Sequence, residues 1–181
     1  MNKFLLILLL PLMLIVEAKT DYVYGQYRTG TAEPEGEGIE LDMTGGIIGY
    51  ASGNSNFVFQ TSASWGNVEA SGIEVDFSGF SVSGGYAFND IADGSFVVGV
   101  SYAEVTLVDP FGGDDFETSN TDPYIGYGKM SGDGIDYLLS ISDGVISGST
   151  YIPFTENLSG QLSFSNDDEV NAVGIGLAFK Y

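Results

Sequence analysis

The chain has 181 residues, 44% of them hydrophobic and 13% aromatic, with no cysteine, no histidine and 5 Lys plus Arg against 25 Asp plus Glu. A formal net charge of −20 excludes a nucleic-acid partner, whose phosphates need a basic surface, and an electrostatic landing patch for anionic lipid. Without cysteine there are no disulfides and no lipidated N-terminus, and without histidine or cysteine the commonest nucleophile–base pairings are missing, so no enzymatic activity and no cofactor are expected.

Lys3 opens the chain with a positive charge, Phe4 to Val16 is an apolar run interrupted only by Pro11, and Val16-Glu17-Ala18 sets small residues before a cleavage point. This is the pattern of a secretory signal peptide. A spanning helix needs about 20 apolar residues, more than this run supplies. The expected organisation is a cleaved signal peptide over 1–18 and one domain over 19–181.

Glycine is abundant (26 residues), and with Tyr, Phe and β-branched residues it favours strands and tight turns. The first strand is expected over Tyr22 to Thr29, followed by a polar loop from Thr31 to Gly38. Ile39 to Ala51 comes next, with Ile39, Leu41 and Met43 opposed to Glu40, Asp42 and Thr44. After a turn at Ser52 to Asn56, Phe57, Phe59, Thr61, Ala63 and Trp65 alternate cleanly with Val58, Gln60, Ser62 and Ser64. Ile73 to Phe88 begins in one phase (Ile73, Val75, Phe77) and ends in the other (Phe80, Val82, Tyr86). A bulge at Ser78-Gly79 would reconcile its halves.

Phe96 to Tyr102 is the next strand, leading into the longest expected loop, Asp109 to Asp122. Tyr124 to Met130, Ile135 to Ser142, Val145 to Phe154 and Leu158 to Ser165 follow. Asp143-Gly144 supplies a hairpin turn between the second and third of these. Gly38 to Gly45 and Gly72 to Gly79 match in residue class, as if two successive hairpins shared a template.

The last segment alternates Val173, Ile175, Leu177, Phe179 and Tyr181 with Gly, Gly, Ala and Lys, and ends on the aromatic. It resembles the closing strand of bacterial outer-membrane β-barrels, where such a strand also serves as the recognition signal for barrel assembly. Polar faces made of Ser, Thr, Gly and Gln with hardly any Lys suit a narrow wet interior, and the large aliphatics and aromatics suit lipid. Aromatics fall near expected strand ends, at Tyr22, Tyr50, Phe57, Tyr86, Phe88, Phe96, Tyr151, Phe154 and Tyr181, as interfacial girdles require. The mature chain resembles the small outer-membrane barrels of the broad OmpA-like transmembrane type, without a C-terminal peptidoglycan-binding domain.

The expected fold is therefore all-β: a single closed antiparallel up-and-down transmembrane barrel, of ten strands rather than eight. The resemblance implies the outer membrane as location, with its lipid and the barrel-assembly machinery as partners. Glu40, Asp42, Glu74 and Asp76 are read as inward-facing acids at the loop-side mouth, which makes a narrow cation-preferring lumen one expected role beside a structural or interaction role. Loop acids Asp114, Asp115 and Glu117, or Glu33, Glu35 and Glu37, are candidate oxygen ligands for divalent cations. The competing class is a secreted soluble β-domain that binds a ligand or surface.

Overall fold

The structure is a computed structural model, described over residues 20–32, 41–70, 72–166 and 170–181. The expected signal peptide and residues Glu33, Glu35, Glu37 and Glu40 lie outside the described residues. Ten strands form a closed barrel: β1 (Thr20–Ala32), β2 (Leu41–Asn54), β3 (Phe57–Ala70), β4 (Ile73–Ala87), β5 (Ser95–Leu107), β6 (Phe116–Lys129), β7 (Asp136–Ser142), β8 (Val145–Pro153), β9 (Leu158–Asn166) and β10 (Val170–Lys180). Each strand pairs antiparallel with its sequence neighbours, and β10 closes onto β1 through the register Tyr22↔Lys180 to Ala32↔Val170. Closure pairs the backbone without leaving an edge in hydrocarbon, which only helices and barrels can do.

Strand alternation sorts the side chains into two faces. Ile48, Trp65, Tyr86, Phe96, Ile125, Ile141, Leu162 and Ile175 lie exposed on the outside. The residues that alternate with them along the strands and face inside include Ser, Gln, Gly and Ala, with Ser62 and Ser81 hydroxyls 2.8 Å apart and the Ser163 hydroxyl donating to Gln26 Oε1 at 2.8 Å. Water around this barrel would meet an apolar belt on all sides, as would not happen in a soluble domain. A closed barrel with such a belt is the architecture by which strands span the bacterial outer membrane, and that is where the chain resides.

Two features at the strand ends depart from plain hairpins and an aromatic girdle. The Asn89 to Gly94 turn contains a 3-10 turn (Ile91–Asp93) that folds under the barrel, with Ile91 fully buried and the Met130 N–H donating to its carbonyl at 3.0 Å. Tyr22 and Tyr151, expected in the aromatic girdle, are instead 1% exposed, and their rings stack inside at 4.3 Å. Both follow from the same cause. At the end where β1 begins and β10 finishes the interior is packed rather than wet, and Ala51, Val58, Ala87, Val97 and Ala178 join these groups in one apolar cluster. Glycines make room for the rings: a Cβ at Gly49 would run into the Tyr24 ring, and one at Gly99 into the Tyr124 ring and the Gly84 carbonyl.

Candidate functional site

The barrel is lopsided at the loop end. β1 to β6 run for 13 to 15 residues, but β7, β8 and β9 run for only 7, 9 and 9. β5 and β6 pair from Ser95↔Gly128 up to Leu107↔Phe116, whereas β7 meets β6 only over Ile125 to Lys129. The expected loop from Asp109 to Asp122 is thus shorter, and Phe116 to Asp122 is strand. Its polar composition concealed it, because these residues have a strand neighbour on one side only. β2 to β6 therefore project as a sheet past a notch above β7 to β9.

The register through β4 is unbroken, from Ala70↔Ile73 to Phe57↔Tyr86 on one side and from Phe77↔Leu107 to Ala87↔Val97 on the other. The bulge expected at Ser78-Gly79 is absent. Counting up the strand from lipid-facing Tyr86 places Ser78, Asp76 and Glu74 outside and Phe77, Val75 and Ile73 inside. The same count from Ile48 on β2 places Asp42 outside. The inward assignment of Asp42, Glu74 and Asp76 is therefore corrected: the two halves of β4 differ in phase because their surroundings differ. In the membrane the outer face meets lipid; beyond it the outer face meets water, and polarity inverts without any insertion.

Across the projecting sheet this inversion is continuous. Outside, Asp42 opposes Glu69 and Glu69 opposes Glu74; Asn67 lies between Thr44 and Asp76. Thr44 donates to Asn67 Oδ1 at 2.6 Å, Asn67 donates in turn to Glu74, and Tyr102 donates to Glu104 at 2.7 Å. Inside, at the same level, stand Met43, Val68, Val75, Phe77, Val105 and Leu107, in register from strand to strand. Asp114, Asp115 and Glu117 do not form a cluster, and among the described residues no group of three or more acids is placed to hold a metal ion.

Below this sheet the lower lumen is packed with side chains. Asp136 is fully buried and accepts from the Tyr22 hydroxyl (2.8 Å), Ser131 N–H (2.8 Å), Ser131 hydroxyl (3.1 Å) and Gly132 N–H (2.8 Å). Lys180 Nζ donates to the Gly132 carbonyl at 2.7 Å, tying the turn between β6 and β7 to the last strand. The sequence offered one signal for this site: Asp136 opens a strand after the Ser131 to Gly134 turn, where a carboxylate can collect turn N–H groups. Higher in the lumen Arg28 points inward between Gly45 and Gly174. The proposed assembly residues Val173, Ile175, Leu177, Phe179 and Tyr181 share the outer face, each 49 to 68% exposed. Tyr181 lies just past β10, and its N–H approaches the Asp21 carbonyl at 3.4 Å.

Fold and belt define the class: a small transmembrane β-barrel with a packed floor and a projecting sheet. No family model and no curated protein sequence matches the chain. Among solved structures it is similar in fold to Neisserial surface protein A, with a TM-score of 0.50 and 12% identity over 89% of this chain and 97% of the other. Looser matches are Ail of Yersinia pestis (TM-score 0.46, 16% identity, 92% and 100% covered) and the N-terminal barrel domain of Pseudomonas aeruginosa OprF (0.41, 14%, 91% and 98%).

Proposed function

We propose that this protein is a non-conducting outer-membrane anchor that displays the projecting β2–β6 sheet as an interaction surface. The observation that carries this reading is the pairing of a packed floor with an asymmetric wall. Side chains fill the lower lumen, and extra strand length is spent on one side of the barrel only, where it adds nothing to membrane crossing. A cation-preferring pore would need its acids on the inner phase, and Asp42, Glu74 and Asp76 are on the outer one. Membrane lipid is the partner of the apolar belt. The assembly machinery is the proposed reader of the terminal strand.

The test is electrical. Purified barrel reconstituted in planar bilayers is expected to give no stepwise conductance. Asp136→Ala together with Tyr22→Ala, which removes the buried carboxylate network and one stacked ring, is expected to produce leak currents. Steady wild-type channels would show the floor to be open and would defeat the anchor reading.

A further inference from the structure

We propose that the upper edge of β6 accepts an extended cationic segment of a partner protein, which adds to the projecting sheet as one more strand; this rests on reading that sheet as an interaction surface. Among the described residues, Phe116 to Asp122 has a strand on its β5 side and none on the other. Two hydrogen bonds fix which groups face the open side. The Ser142 hydroxyl, on β7, donates to the Pro123 carbonyl at 3.0 Å, and the Ser101 hydroxyl, on β5, donates to the Asp122 carbonyl at 3.3 Å. In an antiparallel strand the N–H and C=O of one residue point the same way and alternate along the chain. Glu117, Ser119 and Thr121 therefore turn their backbone groups toward the notch. Thr121 N–H is met there by the Asn120 side chain at 2.9 Å, a bond within the strand rather than across it.

Sheet edges are usually blunted by Lys, bulges or Pro. Here the register to β5 runs without a bulge, and Pro123 stands only at the foot of the edge, where pairing with β7 begins. An added strand would set alternate side chains against the two faces already described. Its outward residues would stand beside Glu117, Ser119 and Thr121, with Glu104 in the next strand opposite Ser119. Its inward residues near the tip would stand beside Phe116, with Leu107 and Phe77 behind. The matching segment alternates Lys or Arg with apolar residues.

Charge selects this occupant over a second copy. The cations of the sequence are Lys3, Lys19, Arg28, Lys129 and Lys180, and no Lys or Arg lies in the segments that form the loop end above Arg28. Loops at that end add acids by sequence, among them Asp109, Asp114 and Asp115. Two copies meeting edge to edge would bring Glu117 and its neighbours against their own kind, and like charges face to face are costly.

The probe is a labelled peptide of about nine residues alternating Lys and Val, enough to span the free edge at about 3.3 Å per residue. It is titrated into purified full-length barrel in detergent, beside a block-ordered peptide of the same composition. Saturable binding that favours the alternating order and weakens with salt is expected. Ser119→Pro removes an edge N–H without touching the ladder to β5 and should weaken binding about tenfold while heat-modifiable migration stays normal. Glu117→Lys, which keeps the edge intact, should also weaken it. Equal binding of the two peptides, or no effect of Ser119→Pro in an assembled barrel, would overturn strand addition. No binding, or wild-type dimers in sedimentation that Ser119→Pro dissolves, would overturn the choice of partner. A barrel that conducts but binds the peptide defeats only the anchor reading; one that is silent but does not bind defeats only this one.

Discussion

Tyr22 and Tyr151 form a parallel stacked pair, 4.3 Å between centroids and 4° between planes, and each is 1% exposed. Removing one hydroxyl at a time, as Tyr22→Phe and Tyr151→Phe, leaves the stack in place and separates two hydrogen-bonding situations. The Tyr22 hydroxyl donates to the buried Asp136 carboxylate at 2.8 Å. Hydrogen bonds to charged groups contribute about 1.5–3 kcal/mol, and the loss is felt in full because Asp136 cannot turn to water. Three other donors still hold the carboxylate, so we place Tyr22→Phe at a cost of about 2 kcal/mol. The Tyr151 hydroxyl is buried with no charged partner: only the neutral side chains of Ser149 and Gln161 stand by it, and neither closes a well-formed hydrogen bond. Weak neutral contacts repay only part of the desolvation cost of that oxygen, so Tyr151→Phe should cost no more than about 1 kcal/mol, clearly less than Tyr22→Phe. The assay is reversible urea unfolding in lipid vesicles, followed through the single tryptophan, Trp65, which lies on the outer face of β3. Equal losses in the two variants would refute the assignment, since they would show that ring packing and not the Asp136 network decides stability at the floor.

Three further expectations concern the two faces and the closing strand. Leu177→Arg should destabilise by a fraction of the about 2–4 kcal/mol that an Arg costs at the midplane, because Leu177 lies near the end of β10, while Ser163→Arg, whose side chain faces Gln26 inside the lumen, should cost less; urea midpoints in vesicles compare them. Deleting Tyr181, or Phe179→Ser, should leave unassembled periplasmic protein without heat-modifiable migration, and wild-type assembly in both would remove the signal role. Gly99→Val should press on the Gly84 carbonyl of the neighbouring strand as well as on the Tyr124 ring and lower stability by at least about 1–3 kcal/mol, whereas Gly25→Ala, with nothing within 4 Å of the added carbon, should be tolerated.

Period-two alternation made all ten strands readable, including the glycine-rich β6 and the irregular β8, because a barrel in lipid has opposite solvents on its faces. The same rule misled where the solvent changed. Ile73, Val75 and Phe77 looked like a lipid face interrupted by an inserted residue, yet they are the inner face of a sheet that has left the membrane. Periodicity records which side is apolar and not where the bilayer ends. Tyr22 and Tyr151 sit near strand ends as girdle aromatics do, and only the fold shows that their phase turns them inward onto Asp136. The notch above β7 to β9 was hidden for another reason. Beyond Phe116, residues Glu117 to Asp122 are polar on both faces, and one-sided pairing leaves no mark in sequence.

The central claim is that β4 crosses the bilayer and continues upward without a break, exchanging lipid for water on its outer face. Spin labels on single cysteines placed in turn from 74 to 86 test it directly, in a chain free of native cysteine. In vesicles, oxygen accessibility should peak at Val82 and Gly84, alternate with protected Ser81 and Ser83, and give way to a water-soluble nickel reagent at Asp76 and Glu74. Oxygen contact persisting on one phase to Glu74, or moving to Val75 and Phe77, would place those residues in lipid and contradict the projecting sheet.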